Sequence, residues 1–364
     1  MGTVEIGQLV LHGKLIENAR LEVSTTEDIY FESAVSPGFS DAHAHPQVVD
    51  VGEGGRWRDS YEWLENRKLR VNEAAIRKDK ELSALLAEAT ILSSIIDGVT
   101  MLSLTGSLEG NIEAVKKLKA TPRVVLLPTV MNLDGWSLPE NIFVKYVENS
   151  FLWDGYFSLG FFVHSIKKAD ISMLRASYNI SRKLHLPFAL HLSEGIDEVD
   201  ALVEALGKEL DRVIAVHCIT SPEKCRKAGL KVVHCPTSNI YLYNRTLGSI
   251  EHFDSLGSDW PLVTGNLFRT FQDAVKLHGA TMDLLAKATL GGYETYNIKP
   301  EGDLVAFDDS IEKVLRGESR PVYVFVKSKP IVKDGIIDPY GLSRTDVERI
   351  VRERVNYAFE KYGL

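Results

Sequence analysis

The sequence predicts an α/β protein: a (β/α)8 barrel of the TIM type with a small composite β domain assembled from both ends of the chain. Three observations carry that expectation. Between residues 36 and 299 short apolar runs alternate with helical patterns, the signature of parallel βαβ units. Both ends of the chain read instead as strands and turns. Histidines and an aspartate stand at the ends of several successive strand candidates, and in a closed barrel those ends converge on one face.

The elements follow in order. Within residues 1–35, Val4–Leu11 and Leu15–Val23 form a hairpin about His12-Gly13-Lys14, and Ser36-Pro37-Gly38 is a turn signal. Residues 36–299 hold the barrel, opening with the segment before His43. The next strands are Val99–Leu104, Arg123–Met131, Ser158–His164, Pro187–Leu192, Arg212–Cys218, Leu230–Cys235 and Phe253–Gly257, which makes eight. Helical patterns at Asp79–Asp97, Asn111–Lys119, Asp170–Leu184, Ile196–Leu210 and Pro222–Ala228 fall between them. A doubly wound open sheet has the same periodicity, so the alternation does not by itself establish closure.

Residues 300–340 return to strands at Gly302–Phe307, Pro321–Val326 and Ile331–Ile336, the last with an Asp334-Gly335 turn. Residues 341–364 hold a helix over Ser343–Tyr362, capped by Ser343 with Asp346 three residues on, and its apolar side reads as a packing face. Pro46–Asp79 is a long βα loop with a short helix, containing Trp57, Tyr61 and Trp63. Loops of that length commonly cover substrate sites, which makes Trp63 a candidate substrate-binding residue.

Composition narrows the function. At 45% hydrophobic and 25% charged, 364 residues are ordinary for a globular enzyme with a large core. The net charge of −8 and the lack of a Lys/Arg-rich run argue against nucleic acid. Three cysteines without a CxxC pair suit a reducing, cytoplasmic setting rather than a disulfide framework. The N-terminus has no basic start followed by an apolar stretch, and no segment nears 18 uninterrupted apolar residues, so neither export nor a membrane is expected. Neither GxGxxG nor GxxxxGK[ST] follows a strand, which disfavours dinucleotide and P-loop chemistry.

The chemistry starts at His43 and His45. Residues i and i+2 of a strand share a face, so both imidazoles could reach one ion. Such a pair also arises by chance on surfaces. His191 ends a later strand with Glu194 three residues beyond; His217 and His234 end the next two, and Asp259 follows the eighth. A lone strand-end histidine is more often a hydrogen-bonded core residue than a ligand. The series reverses that reading, because a barrel brings those ends together. Three histidines and an aspartate suit Zn(II) or Fe(II), with a position left open for water. Such an ion lowers the water's pKa from 15.7 toward ~7, and Glu194 is placed to carry the proton.

The residues resemble the amidohydrolase superfamily, in particular its aminohydrolase and chlorohydrolase branch, which includes S-adenosylhomocysteine/methylthioadenosine, guanine and cytosine deaminases. The matching segments, spread in order over nearly the whole chain, are Pro37–Pro46, His191-Leu192-Ser193-Glu194, Val216-His217-Cys218, His234–Asn239 and Leu256-Gly257-Ser258-Asp259. The resemblance implies a metallo-hydrolase barrel with His43, His45 and His191 as metal ligands and Asp259 beside the metal and its water. Glu194 would shuttle the proton, and His217 would orient the water and stabilise the tetrahedral centre. His164 would face the substrate, and His234 would help shape its pocket. The HxxE motif implies one metal, since His164 occupies the strand end where binuclear relatives place a carboxylated lysine. Two features depart from the pattern: the bulky Trp260-Pro261 follows Asp259, and no arginine pair stands out for a substrate carboxylate.

The expected function is hydrolytic deamination of an amino-substituted purine or pyrimidine base or nucleoside by hydroxide generated at the metal. Hydrolysis of a cyclic amide, an imide or a halo-triazine at the same site is the alternative. A non-catalytic binding protein on this fold is disfavoured, because every ligand position is filled. The partner is then a small heterocyclic substrate, and a homo-oligomer is compatible with the resemblance.

Overall fold

The computed structural model describes residues 2–24 and 28–364. Strands β1 (Gly2–Leu11) and β2 (Lys14–Val23) pair antiparallel. The hairpin turns at His12 and Gly13, both at positive φ (48° and 76°), as a tight two-residue connection requires. A third strand absent from the sequence reading, β3 (Ile29–Ser36), runs parallel to β1.

The barrel follows as β4 (Phe39–Ala44), β5 (Val99–Gly106), β6 (Arg123–Val130), β7 (Phe157–Leu159), β8 (Phe161–Val163), β9 (Phe188–Leu192), β10 (Val213–His217), β11 (Lys231–His234) and β12 (Ser255–Leu256). All pair in parallel, and β7 and β8 are two halves of the fourth barrel strand. They break at Gly160, where a Cβ would collide with the carbonyl oxygen of Pro187. Closure falls at the site itself. The Asp259 N–H donates to His43 O at 2.9 Å and the His45 N–H to Asp259 O at 2.6 Å, joining the end of β4 to the segment after β12. The open-sheet alternative is thereby excluded.

The chain then returns to the terminal sheet through β13 (Leu304–Phe307), β14 (Tyr323–Val326), β15 (Lys329–Lys333), β16 (Ile336–Ile337) and β17 (Leu342–Ser343). Strand β13 pairs with β3, so the order β17-β16-β15-β14-β13-β3-β1-β2 mixes both ends of the chain, as the sequence predicts. The single return strand expected at Ile331–Ile336 is two strands, folded at Asp334 and Gly335.

Strand alternation divides the core. Met101, Val125, Leu127, Phe162, Ala189, Ile214, Val216 and Val233 form one buried cluster inside the barrel. Their neighbours Leu102, Val124, Leu126, Leu190, Ala215 and Val232 belong to a second cluster shared with the surrounding helices. A buried ion pair ties barrel to terminal sheet: Arg123 Nε lies 2.6 Å from Asp303 Oδ2, which also accepts from the Tyr293 hydroxyl at 2.7 Å.

The segment after β4 carries two short helices, Ser60–Asn66 and Glu73–Lys78, instead of one. The helix Arg344–Tyr362 starts with the expected capping box between Ser343 and Asp346 and packs on the helix Lys80–Ile96. Among the described residues, no helix is long and apolar enough to cross a membrane.

Candidate metal centre and active site

At the end of β4, His43 and His45 project into the barrel mouth, where the His43 ring stacks on Phe162 at 5.0 Å. His191 follows Ala189 on the inward side of β9. Asp259 sits at φ 61°, a left-handed conformation sustained by its backbone bonds to both β4 histidines. One ligand atom from each of His43, His45, His191 and Asp259 lies within 4.8 Å of all the others. His191 Nε2 is 3.2 Å from His43 Nε2 and 3.3 Å from His45 Nε2, and Asp259 Oδ1 is 3.5 Å from Nε2 of each β4 histidine.

This donor set fits a cation. Burial lowers the pKa of His43, His45 and His191, which leaves neutral imidazoles with lone pairs to offer. Burial raises that of Asp259, but the imidazoles of His43, His217 and His45 close around it outweigh this and hold the carboxyl below its ordinary value. Yet neither Asp259 carboxylate oxygen has a hydrogen-bond partner, although both are buried. A desolvated, uncompensated carboxylate is costly unless a cation faces it.

Two further residues sit beside the cluster. Glu194 is buried, accepts from the Tyr243 hydroxyl at 2.7 Å and lies 3.7 Å from His217 Nε2. Burial raises its pKa, partly offset by His217 and by the Tyr243 hydrogen bond. His217 Nδ1 is 2.8 Å from Asn239 Oδ1, and the Asn239 amide nitrogen donates to Thr246 Oγ1 at 3.3 Å. That network assigns the Nδ1 proton to the Asn239 bond and turns Nε2 toward Glu194 and Asp259 Oδ2, the latter 4.0 Å away.

These groups open into a cavity of about 180 Å3 lined by His45, His164, His191, Glu194, His217, Asp259, Trp63, Trp136, Trp260, Arg67 and Arg77, among others. Trp63 and Trp260 stack with ring centroids 5.5 Å apart, so the bulky residue after Asp259 does shape the rim. His164 is pushed down to about 3, by burial first and then by the charges of Arg67, Lys168 and Arg77. The segment after β4 is fastened to the site: the Ser60 N–H donates to Glu194 O at 3.0 Å and the Tyr61 hydroxyl to Glu198 Oε1 at 2.5 Å.

One expected residue is elsewhere. His234 does not line the cavity; its ring packs on Phe253 at 4.6 Å and its Nε2 faces His278 Nε2 at 3.5 Å. The reason is alternation. Val233 points inward on β11, so His234, still in regular strand, points out toward the helix layer. His217 stands in the same phase after the inward Val216, but it leaves its strand at φ 77°, and its ring reaches the site.

The sequence reading did not assign roles to Tyr243, Asn239, Thr105, Arg67 or Arg77. Asn239 closes the His234–Asn239 segment, and Tyr243 lies in an aromatic run, Tyr241-Leu242-Tyr243. The two arginines carry no spacing signal in a poorly patterned loop.

Comparisons with known proteins agree with this architecture. Residues 34–338 match the profile of the amidohydrolase family. No curated protein matches the sequence. An adenosine deaminase from Xanthomonas campestris with bound zinc superposes with a TM-score of 0.78 at 17% identity, covering 99% of this chain and 98% of that one. A variant of the atrazine chlorohydrolase of Arthrobacter aurescens, complexed with zinc and atraton, gives 0.77 at 13%, covering 98% and 100%. The aminofutalosine deaminase of Helicobacter pylori gives 0.69 at 13%, covering 91% and 100%. At these identities the structural likeness speaks for the fold.

Proposed function

The chain belongs to the amidohydrolase family, and on that premise we propose that it is a hydrolytic deaminase of an amino-substituted heterocycle, working with one divalent ion, zinc ahead of iron. The observation that carries the reading is Glu194, a buried carboxylate held by Tyr243 and facing His217, beside a cluster of three imidazoles and a carboxylate. His43, His45, His191 and Asp259 would hold the ion. When bound there, it supplies Lewis acidity that brings the pKa of water from 15.7 toward ~7.

The chain's own groups would do the rest. Glu194 takes a proton from the attacking water and delivers it to the ring nitrogen next to the carbon bearing the amino group. Its raised pKa suits both directions of that transfer. His217, with Nδ1–H committed to Asn239, presents Nε2 where charge develops on the oxygen. Glu194 then takes the remaining proton of the added hydroxyl and passes it to the amino group; the carbonyl forms as the C–N bond breaks, and ammonia leaves. Trp63 and His164 line the wall against which a flat ring would lie. The cavity volume of about 180 Å3 is below the roughly 300–1,000 Å3 usual for drug-sized ligands and supports a small heterocyclic substrate.

Two similar structures, an adenosine deaminase and an aminofutalosine deaminase, support deamination. The chlorohydrolase likeness supports a second reading, displacement of chloride from a triazine at the same site. Release of ammonia or chloride from a panel of bases, nucleosides and chlorotriazines by the zinc- and iron-loaded protein separates the two. Glu194→Gln should lower turnover by about 10²–10⁴-fold with metal retained. If the protein binds no divalent ion even after remetallation, and releases no ammonia, the reading fails.

A further inference from the structure

Part of the cavity lining is basic. Arg67 at the end of the helix Ser60–Asn66, Arg77 in the helix Glu73–Lys78 and Lys168 beyond β8 all line the cavity, with the Glu73 carboxylate between the two arginines. Arg67 Nη2 lies 2.7 Å from Glu73 Oε2, and Arg77 Nη1 lies 3.5 Å from the same oxygen. Both guanidinium side chains are largely buried, at 12% and 11% exposure. One carboxylate oxygen therefore serves two desolvated cations, which repel each other. Arg77 Nε is buried with no hydrogen-bond partner at all.

Position as well as charge is constrained. The Arg67 guanidinium stacks 4.4 Å from the Trp63 ring centroid and that of Arg77 4.3 Å from Trp136. Stacking covers the flat faces and leaves the hydrogen-bonding edges, the geometry in which arginine takes planar oxyanions. Lys168 has one ion pair, at 3.6 Å to Glu65, whose side chain is 65% exposed and screened by solvent. Three cations against Glu73 and the solvent-exposed Glu65 leave an excess of positive charge in a partly desolvated wall, an arrangement that a bound anion would stabilise.

We propose that the substrate carries, besides its amino-substituted ring, a carboxylate or phosphate group bound by Arg67, Arg77 and Lys168. The inference rests on the deaminase reading and supplies its substrate class. No arginine pair stands out in the sequence for a substrate carboxylate, but the fold brings Arg67 and Arg77 to one cavity.

The test uses matched pairs with the zinc-loaded protein: cytosine against its 5-carboxylate, and adenosine against its 5′-monophosphate. Ammonia release is followed in the native protein, and binding by calorimetry in Glu194→Gln. The charged member of at least one pair should bind about tenfold or more tightly, a factor worth about 1.4 kcal/mol; which pair responds tells carboxylate from phosphate. Arg77→Gln and Lys168→Gln should each reduce the charged-to-neutral ratio, and added salt should reduce it too. Equal or weaker binding of both charged compounds overturns the proposal, as does a variant that weakens charged and neutral partners equally. Should Arg77→Gln not fold, Lys168→Gln, with a side chain that reaches solvent, decides the same comparison. Absence of ammonia from every compound tells against deamination, while the calorimetric ratio still judges the anion site.

Discussion

The hydroxyl of Thr105 stands 2.8 Å from His45 Nδ1 and donates to the carbonyl of Ala44 at 3.0 Å. Its single proton is thus committed, and its oxygen accepts from Nδ1–H. That assigns the tautomer of His45 and leaves Nε2 bare toward His191 and Asp259. Thr105→Val keeps the shape and removes the acceptor. We expect metal affinity to fall by about 10–100-fold, as for other losses of a ligand's supporting partner. Competition with a chelator measures it, and an unchanged affinity would show that the hydroxyl does not orient the ligand.

Tyr243 acts on Glu194 in the opposite sense to burial. Burial raises the Glu194 pKa, and the hydroxyl at 2.7 Å, by stabilising the carboxylate, lowers it. Tyr243→Phe removes the lowering influence, so the pKa climbs further and less Glu194 is ionised at a given acidic pH. The acidic limb of the kcat/KM profile should move up by about one to two pH units, from a charged hydrogen bond worth roughly 1.5–3 kcal/mol. A loss of rate with the limb in place would assign Tyr243 to packing or substrate contact.

Arg123 and Asp303 hold the barrel against the terminal sheet, with side chains 5% and 0% exposed. Asp303 also accepts from Tyr293 and from the Lys327 N–H. Asp303→Ala strands a buried guanidinium and should cost about 3–5 kcal/mol of stability. Denaturant unfolding reads this directly; a loss below 1 kcal/mol would mean that water reaches the pair.

His164 and His234 both end strands, and they should behave differently. His164→Asn alters the cavity wall and should raise KM. His234→Asn removes a ring packed between strand and helix, so stability should drop while KM, kcat and metal content hold. A KM effect at His234 would contradict its outward orientation.

Much of this could be read without coordinates. The βα alternation, the composite terminal sheet and the Ser343 cap come from local patterns, because strand and helix periods are imposed by backbone geometry at each residue. The order His43, His45, His191, Glu194, His217, Asp259 was equally legible, since parallel strands deliver their ends to one side. What lay beyond local pattern were directions and distant neighbours. Phase alone treats His217 and His234 alike; a positive φ at one and regular strand at the other separates them. Arg67 and Arg77 stand in a loop without periodicity, and only the folding of that loop over the barrel mouth brings them to one cavity. Alternation is a property of the chain next to a residue, whereas a pocket is made by segments far apart in sequence, and that is why the ligands were visible early and the basic wall was not.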